Sequence, residues 1–377
     1  MKYRIITIWL FCMMTFSVVA QQYKTVLPYR MVGGKMIVEM IMNGTPRSFI
    51  FDTGGRTALT GEICEELGLT VTDSLVVTDV NSNQAIYPIV VIESLLTPDG
   101  KINFKGVPAL QLAQPSPFEC FHADGLIGSD LLARTIVEID GKAKTVTITS
   151  AEKASTISLR KMIPFVKAGM PLISLQAGVG NNITCLFDTG CPGFFSLKNT
   201  DFEVLKSAAA FNILSEGYGE GSIGVAGMAA ADVSYRVRFP LISVGSTKFK
   251  NVSSETSTPP FTLLGVRLLD YGKVTLDYPR ARFYFEAYEL ENDLESKHYN
   301  VALRVKDGEL FVSTVWSAMK GIVEVGDKVT KINGKPTGKY DFCESIINGI
   351  PELKAKKKTK LTIRTRQGEK VIVYEKE

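Results

Sequence analysis

Two aspartates, each followed by threonine and glycine, are the residues of this sequence best suited to chemistry. They occur in Phe51-Asp52-Thr53-Gly54 and Phe187-Asp188-Thr189-Gly190, and an apolar run precedes each motif. Two carboxyl groups within about 3 Å of each other share one proton, because both cannot ionise cheaply. The ionised member can then take a proton from a water molecule while its partner stabilises a forming oxyanion. The motifs therefore predict general acid-base hydrolysis with water as the nucleophile.

The spacing around these motifs repeats along the chain. Leu126-Ile127-Gly128 ends 76 residues after Asp52, and Leu263-Leu264-Gly265 ends 77 residues after Asp188. The apolar pattern that follows each glycine also matches without a gap. Self-similarity over such a period indicates a duplicated structural unit. We therefore interpret the two aspartates as halves of one active site.

Other kinds of site are poorly supported. His122 and His298 are the two histidines, so neither a histidine-rich metal site nor a histidine-activated serine or cysteine is indicated. The glycines between residues 217 and 227 lack phosphate-loop spacing. The formal net charge is only +4, which does not indicate nucleic-acid binding. We expect a site without metal or cofactor.

The segments before the aspartates are predicted to be β-hairpins. Residues 35–42 have a half-buried strand pattern, Asn43-Gly44 is a tight-turn dipeptide, and residues 47–51 return as a second strand. Residues 171–177 and 183–187 repeat this plan. Glycine after each aspartate disfavours continuation of the strand. Each aspartate should therefore lie on a short loop held by a rigid sheet.

The sequence also predicts elements that do not carry the aspartates. We expect helices over residues 60–69, capped by Thr60, and over residues 201–210. A long hairpin should cover residues 76–91, with its turn near residues 81–83. The glycine-rich residues 216–227 are most simply a mobile hairpin tip or loop.

The length of 377 residues, with 45% hydrophobic and 22% charged residues, indicates a globular chain of two or three domains. Its divisions are a predicted signal peptide (1–20), a first unit (21–152), a second unit (153–288), a polar linker (289–299) and a small α+β C-terminal module (300–377).

The first twenty residues have the parts of an export signal. Lys2 and Arg4 precede the apolar residues 5–16, and small residues follow at 17–20. We therefore expect an exported protein, periplasmic or secreted, whose mature chain begins at Gln21. An uncleaved anchor is the alternative, although the apolar run is shorter than the ~20 residues that span a bilayer. No later segment has the composition of a membrane span.

Cysteine pairing is left open by the sequence. An odd number of cysteines follows the predicted signal peptide, so they cannot all pair within the chain. Export permits a disulfide, and Cys185 and Cys191, on either side of the second aspartate, are one candidate pair. The alternative, which we favour, is that both are small buried free thiols.

The paired motifs resemble those of aspartic peptidases of the pepsin and retropepsin clan, in a two-lobed single chain, over roughly residues 25–288. The resemblance implies a mainly β fold, with two pseudo-symmetric β-barrel-like lobes around a cleft that binds polypeptide. It also implies a set of site residues: the catalytic pair Asp52 and Asp188, the supporting Thr53, Gly54, Thr189 and Gly190, and Tyr87 in a flap hairpin over the cleft.

The sequence departs from this family at the fourth motif position, which is Gly55 in one motif and Cys191 in the other. Gly55 is compatible with the acid-base pair. Cys191 removes a hydroxyl that orients the carboxylate in pepsins, which implies low activity or a shifted pH optimum. An eroded site is therefore an alternative.

The C-terminal module resembles a PDZ domain. Gly308, Glu309, Leu310 and Phe311 occupy the place of the carboxylate-binding loop and peptide-pairing strand, and residues 325–334 match the bacterial pattern. The resemblance implies that a peptide C-terminus binds by strand addition. A packing or spacing module with a blocked groove is the alternative.

The expected function is that of an exported aspartic endopeptidase, with a module that binds polypeptide. The competing hypothesis is a catalytically weak or inactive peptide-binding protein of the same fold.

Overall fold

The computed structural model describes residues 23–79, 81–150, 156–166, 169–221, 223–224, 227–228, 230–354 and 357–377. The chain is mainly β, with β-barrel-like sheets and short helices. The predicted signal peptide and the expected start at Gln21 lie outside the described residues. In the part of the chain that is described, no helix is long and apolar enough to cross a membrane.

The first unit is built from the hairpins that its sequence predicts. Its elements are β1 (Lys24–Val32), β2 (Lys35–Met42), β3 (Thr45–Asp52), β4 (Ala58–Leu59), α1 (Gly61–Glu66), β5 (Asp73–Thr78), β6 (Gln84–Leu96), β7 (Asn103–Gln111), β8 (Gly125–Gly128), α2 (Ser129–Leu132), β9 (Thr135–Asp140) and β10 (Thr145–Ser150). Strands β2 and β3 pair across Asn43 and Gly44, which both have positive φ. Thr60 caps α1 as expected, although the helix ends at Glu66.

The second unit follows the same order. Its elements are β11 (Met162–Pro164), β12 (Leu172–Ala177), β13 (Asn182–Asp188), β14 (Phe195–Lys198), α3 (Asn199–Ser207), β15 (Asn212–Gly219), β16 (Ile223–Gly224), β17 (Gly227–Met228), β18 (Asp232–Val244), β19 (Thr247–Ser257), β20 (Thr262–Gly265), β21 (Gly272–Asp277) and β22 (Arg282–Ala287). The predicted helix is confirmed as α3. The prediction of a hairpin tip or loop over residues 216–227 is wrong for residues 216–219, which belong to β15 and pair with β18.

A single sheet joins the two units, through antiparallel pairing of β9 with β21. Val137 lies opposite Leu276, and Ile139 lies opposite Val274. In the sequence repeat Val137 corresponds to Val274, and Ile139 corresponds to Leu276. Exchanging the two units therefore converts the pair Val137–Leu276 into the pair Val274–Ile139. Self-complementary pairing of this kind is what a two-fold axis between the units requires. Buried residues of both units also form one continuous hydrophobic core.

The polar stretch that was predicted as a linker is held against the second unit. It contains β23 (Glu291–Asp293), which pairs in parallel with β19. The C-terminal module follows with a separate core that includes Val329 and Leu361. Its elements are β24 (Val301–Lys306), β25 (Glu309–Trp316), β26 (Lys328–Ile332), β27 (Lys335–Pro336), α4 (Phe342–Ile347), α5 (Pro351–Lys354), β28 (Lys358–Thr365) and β29 (Gly368–Glu375).

The module is attached to both units. A disulfide joins Cys343 of the module to Cys120 of the first unit. On the other side, β25 pairs with β15 of the second unit, with Trp316 opposite Gly217. A Cβ at Gly217 would lie only 2.6 Å from the Trp316 ring, so the glycine permits this close pairing. The module is therefore fixed across the two units and is not suspended from a flexible linker.

Candidate functional site

Each aspartate ends the second strand of a hairpin and faces a returning strand. Strand β3 pairs in parallel with β8, which places Asp52 opposite Gly128. Strand β13 pairs in the same way with β20, which places Asp188 opposite Gly265. The chain after each aspartate crosses so close to the returning strand that a Cβ on either glycine would overlap its backbone. This crossing explains why both repeats contain two apolar residues followed by glycine.

The threonines of the two motifs join the loops through four buried hydrogen bonds. The Thr53 hydroxyl donates to the carbonyl of Phe187 at 2.7 Å, and the Thr189 hydroxyl donates to that of Phe51 at 2.7 Å. Each hydroxyl also accepts from the other threonine's N–H, at 3.0 Å and 3.1 Å. Every bond has a counterpart from the other unit, so the two turns are held in a symmetric arrangement.

This arrangement brings the carboxyl groups of Asp52 and Asp188 together, close enough for each to affect the protonation of the other. Within each turn the glycine N–H donates to the aspartate of the same motif, at 3.0 Å for Gly54 and 2.7 Å for Gly190. A Cβ on Gly54 would lie 2.5 Å from Asp188 Cγ, and one on Gly190 would lie 2.6 Å from an Asp52 oxygen. Glycine is therefore required at both positions for the carboxyl groups to meet.

The electrostatic environment of the pair is unequal. Burial raises the pKa of Asp188 well above its ordinary value, and the neighbouring Asp52 carboxylate raises it further. The Lys35 ammonium and the Gly190 N–H act in the opposite direction. Asp188 is 6% exposed, whereas Asp52 is half-buried. A proton shared by the pair is therefore favoured on the more buried carboxyl group.

The cysteine that replaces a hydroxyl in the second motif is a free thiol. Burial and the Asp188 charge raise the pKa of Cys191 to about 12, so this thiol stays protonated near neutral pH. The candidate disulfide between Cys185 and Cys191 is not formed, and the alternative of free thiols holds for both. The pairing of Cys120 with Cys343 was not predicted, because 223 residues separate them in sequence.

Three residues that the sequence did not single out lie close to the turns. The Ser129 hydroxyl donates to the Thr53 carbonyl at 2.5 Å and lies 3.1 Å from the buried hydroxyl of Tyr278 in the other unit. The Lys35 ammonium donates to the carbonyl of Gly190. Ser129 directly follows Gly128, which ends the repeated apolar-apolar-glycine pattern, so the sequence could have identified Ser129 as a residue near the site. Nothing local marked Lys35 or Tyr278.

The predicted flap corresponds to the hairpin of β5 and β6. Tyr87 lies opposite Leu75 in this hairpin, and its side chain is buried in a small apolar cluster of the first unit. At the hairpin tip, the Ser82 hydroxyl donates to the carbonyl of Thr258 in the second unit. A Cβ on Gly224 of the second unit would lie 2.6 Å from Asp79 at the same tip. The tip therefore contacts the opposite unit.

The predicted peptide-pairing strand of the module is paired along one edge and, at Phe311 and Val312, along the other edge as well. Glu309 to Phe311 lie at the start of β25, which pairs with β24 along one edge. On the other edge Phe311 lies opposite Lys328, and Val312 exchanges hydrogen bonds with the turn before β26. Gly308 forms the turn between β24 and β25 with φ of +78°. A peptide cannot add to this strand without displacing a partner.

A different groove lies between β24 and α4, with a volume of about 620 Å³. Among the described residues, β24 pairs with β25 alone, which leaves its outer edge unpaired. Leu303 and Val305 line one side of this groove and Phe342 and Ile346 the other, with Lys354 nearby. The groove therefore combines a strand edge, apolar walls and positive charge.

Comparisons with known proteins add little to this geometry. A scan against protein-family profiles finds no match, and no curated protein matches the chain in sequence. Among solved structures, a retropepsin-like aspartic protease from Rickettsia conorii is similar over 34% of this chain and 92% of its own. The identity is 21% and the TM-score is 0.26. At these values the similarity establishes neither the fold family nor the activity of this chain.

Proposed function

We propose that this chain is an exported aspartic endopeptidase, with Asp52 and Asp188 as the catalytic pair of two pseudo-symmetric lobes. The observation that carries the proposal is the symmetric set of hydrogen bonds made by Thr53 and Thr189, which holds the two aspartate turns against each other. Like charges in contact titrate in two separated steps, so one proton is retained by the pair over a range of pH. Such a pair contains both an acid and a base.

In the proposed reaction a water molecule is held between the two carboxyl groups. Asp52, the more exposed member, takes a proton from this water as it attacks the carbonyl carbon of a peptide bond. Asp188 retains its proton because of burial, and donates a hydrogen bond to the forming oxyanion. Collapse of the intermediate then releases the amine, which takes up a proton from the pair. The N–H groups of Gly54 and Gly190 orient the carboxylates throughout.

The test is cleavage of an unfolded protein between pH 3 and pH 8 by wild type, Asp52→Asn and Asp188→Asn. Each variant should lose activity by about 10³-fold or more, because each removes a proton-transfer group. Asp73→Asn, at an exposed position in β5, serves as the matched control and should cleave as wild type does. A statine-type inhibitor should abolish the wild-type activity. Equal inertness of wild type and both variants, with peptide still bound, would instead establish the non-catalytic alternative.

We also propose that the module is PDZ-like and takes a peptide C-terminus in the groove between β24 and α4. The unpaired edge of β24 supports strand addition there, and Lys354 and Lys357 supply positive charge for a carboxylate. A labelled peptide with a free C-terminus should bind, and its amidated form should bind at least about tenfold more weakly. Ser345→Tyr, which fills the groove, should abolish the difference. Equal binding of both peptides would contradict carboxylate recognition, and binding of neither would favour a packing module with a blocked groove.

A further inference from the structure

The turn between β1 and β2 lies against the active-site loop of the opposite unit. A Cβ on Gly34 would lie 2.7 Å from Pro192, and one on Gly33 would lie 2.8 Å from the Phe121 ring. The next residue, Lys35, directs its ammonium group to the Gly190 carbonyl and lies 5.9 Å from the centroid of the Phe121 ring. The lysine is therefore held in a defined position by two units of the chain.

Gly190 is the residue whose N–H orients Asp188 and whose backbone lies against Asp52. A bond from Lys35 to its carbonyl thus fixes the turn that bears one carboxyl group and contacts the other. The same ammonium brings a full positive charge close enough to act on Asp188 and on Cys191. Position and charge are both supplied by one side chain.

The equivalent position of the other unit carries no charge. Ile37 lies opposite Ile50, two residues before Asp52, and Leu172 lies opposite Leu186, two residues before Asp188. Since Lys35 precedes Ile37 by two residues, its counterpart is Met170, two residues before Leu172. The lysine therefore makes an otherwise symmetric pair of turns electrostatically unequal.

We propose that Lys35 is a positioning residue for the reaction at the aspartate pair, which holds the Gly190 turn and whose charge sets the pH range of activity. This inference rests on the proposed peptidase function. Among the described residues, the other titratable groups that interact with the pair are the Cys191 thiol, on the loop of Asp188, and the Tyr278 hydroxyl, whose pKa the Asp52 charge raises. Burial raises the pKa of both, so they stay neutral where the pair titrates.

The sign of the effect follows from the charge. A cation favours the ionised forms of the pair, so Lys35 lowers the pKa of Asp188 from the value that burial and Asp52 would otherwise set. Removing this cation removes its opposition to burial at Asp188, so the pair should hold its shared proton to higher pH. Because activity requires the singly protonated pair, both limbs of the pH–rate profile should then move to higher pH.

The experiment compares the pH profiles of kcat/KM for wild type, Lys35→Met, Lys35→Gln and Lys35→Arg. Lys35→Met, which reproduces the residue of the other unit, should shift the profile upward by roughly one pH unit. Lys35→Gln retains an N–H donor without the charge and should shift it similarly. Lys35→Arg should leave it in place. Lys142→Met is the matched control, because Lys142 also lies over a ring, 3.7 Å from the Tyr288 centroid, but does not act on Asp188.

A second readout does not depend on turnover. Carboxyl signals in the NMR spectrum of ¹³C-aspartate-labelled protein, assigned with Asp52→Asn and Asp188→Asn, should show a higher titration midpoint in Lys35→Met than in wild type. Unshifted profiles and midpoints in folded Lys35→Met and Lys35→Gln overturn the role of Lys35. If wild type shows no cleavage that depends on the aspartates, the peptidase proposal fails, and the NMR midpoints still decide whether Lys35 acts on the pair.

Discussion

The turns around Asp52 and Asp188 differ in what surrounds them far more than in their own structure. Their four threonine hydrogen bonds are equivalent in partner and nearly equal in length. Their surroundings differ in burial, in the fourth motif residue, and in the lysine that contacts only the second turn. The two units thus share the threonine hydrogen bonds that join the turns, while they differ in the side chains that control protonation of the aspartates.

The hairpins of the two units show the same contrast on a larger scale. The β5–β6 hairpin lies at the end of its sheet, where β5 pairs with β6 alone among the described strands. The β15–β18 hairpin is joined through β15 to β25 of the C-terminal module. Arg304 of the module also donates to Glu220 and to the carbonyl of Gly221, beyond the end of β15. The module therefore restrains the second hairpin by strand pairing, whereas near the first hairpin its Ile346 and Ile347 pack only on a shared apolar cluster.

The largest effect on stability is expected from the threonine hydrogen bonds, which are equivalent in the two turns. Thr53→Val and Thr189→Val each remove one hydroxyl and leave a buried carbonyl and N–H without that partner. Each should lower the free energy of unfolding by about 2–4 kcal/mol and reduce cleavage with it. Urea unfolding measures this loss, and Thr53→Ser should restore most of it. A strongly unequal cost for the two valine variants would show that the network is not symmetric in energy.

An intermediate effect is expected from the module attachment. Cys343→Ser should lower stability by about 2–4 kcal/mol, because the disulfide closes a loop of 223 residues. It should also reduce hydrogen-exchange protection more in the β5–β6 hairpin, whose apolar cluster packs against Ile346 and Ile347 of α4, than in β15, which β25 holds by backbone pairing. A reductant should lower the stability of wild type to that of the variant and have no effect on the variant. Equal loss of protection in both hairpins would contradict the difference between them.

The smallest effect concerns the burial of Asp188. Its raised pKa means that the folded protein keeps a proton that the unfolded chain has released, so wild-type stability falls as pH rises toward neutral. Asp188→Asn removes this loss, and its free energy of unfolding should rise relative to wild type between about pH 4 and pH 7. Asp52→Asn retains the buried carboxyl group and should still lose stability over this range. If the free energy of unfolding changes with pH in the same way in all three proteins, the proposed difference in protonation between Asp188 and Asp52 is wrong.

Much of the site was predictable because its determinants are local or repeated. Asn43 and Gly44 specify a tight turn, alternating apolar residues specify the paired strands, and glycine ends each strand at an aspartate. The repeat spacing then identified Gly128 and Gly265 as equivalent positions. These features depend on neighbours in sequence or on comparison of the chain with itself.

The remaining features depend on partners that local sequence does not specify. Composition marked residues 216–219 as a loop, but Trp316 provides a surface on which their glycines pair as a strand. The same holds for the Cys120–Cys343 disulfide and for the free edge of β24, since the PDZ resemblance implied peptide pairing along β25 instead.

The sequence by itself thus determined the strands, the turns and the two aspartates that end them, since these follow from periodicity and backbone preference. Only the tertiary structure decided that the two aspartate turns meet, that Lys35 reaches across to the carbonyl of Gly190, and that the module contacts both units. The physical reason is that hydrogen bonds, charge interactions and disulfides act over a few ångströms in space. The residues that supply them here are separated by more than one hundred positions along the chain.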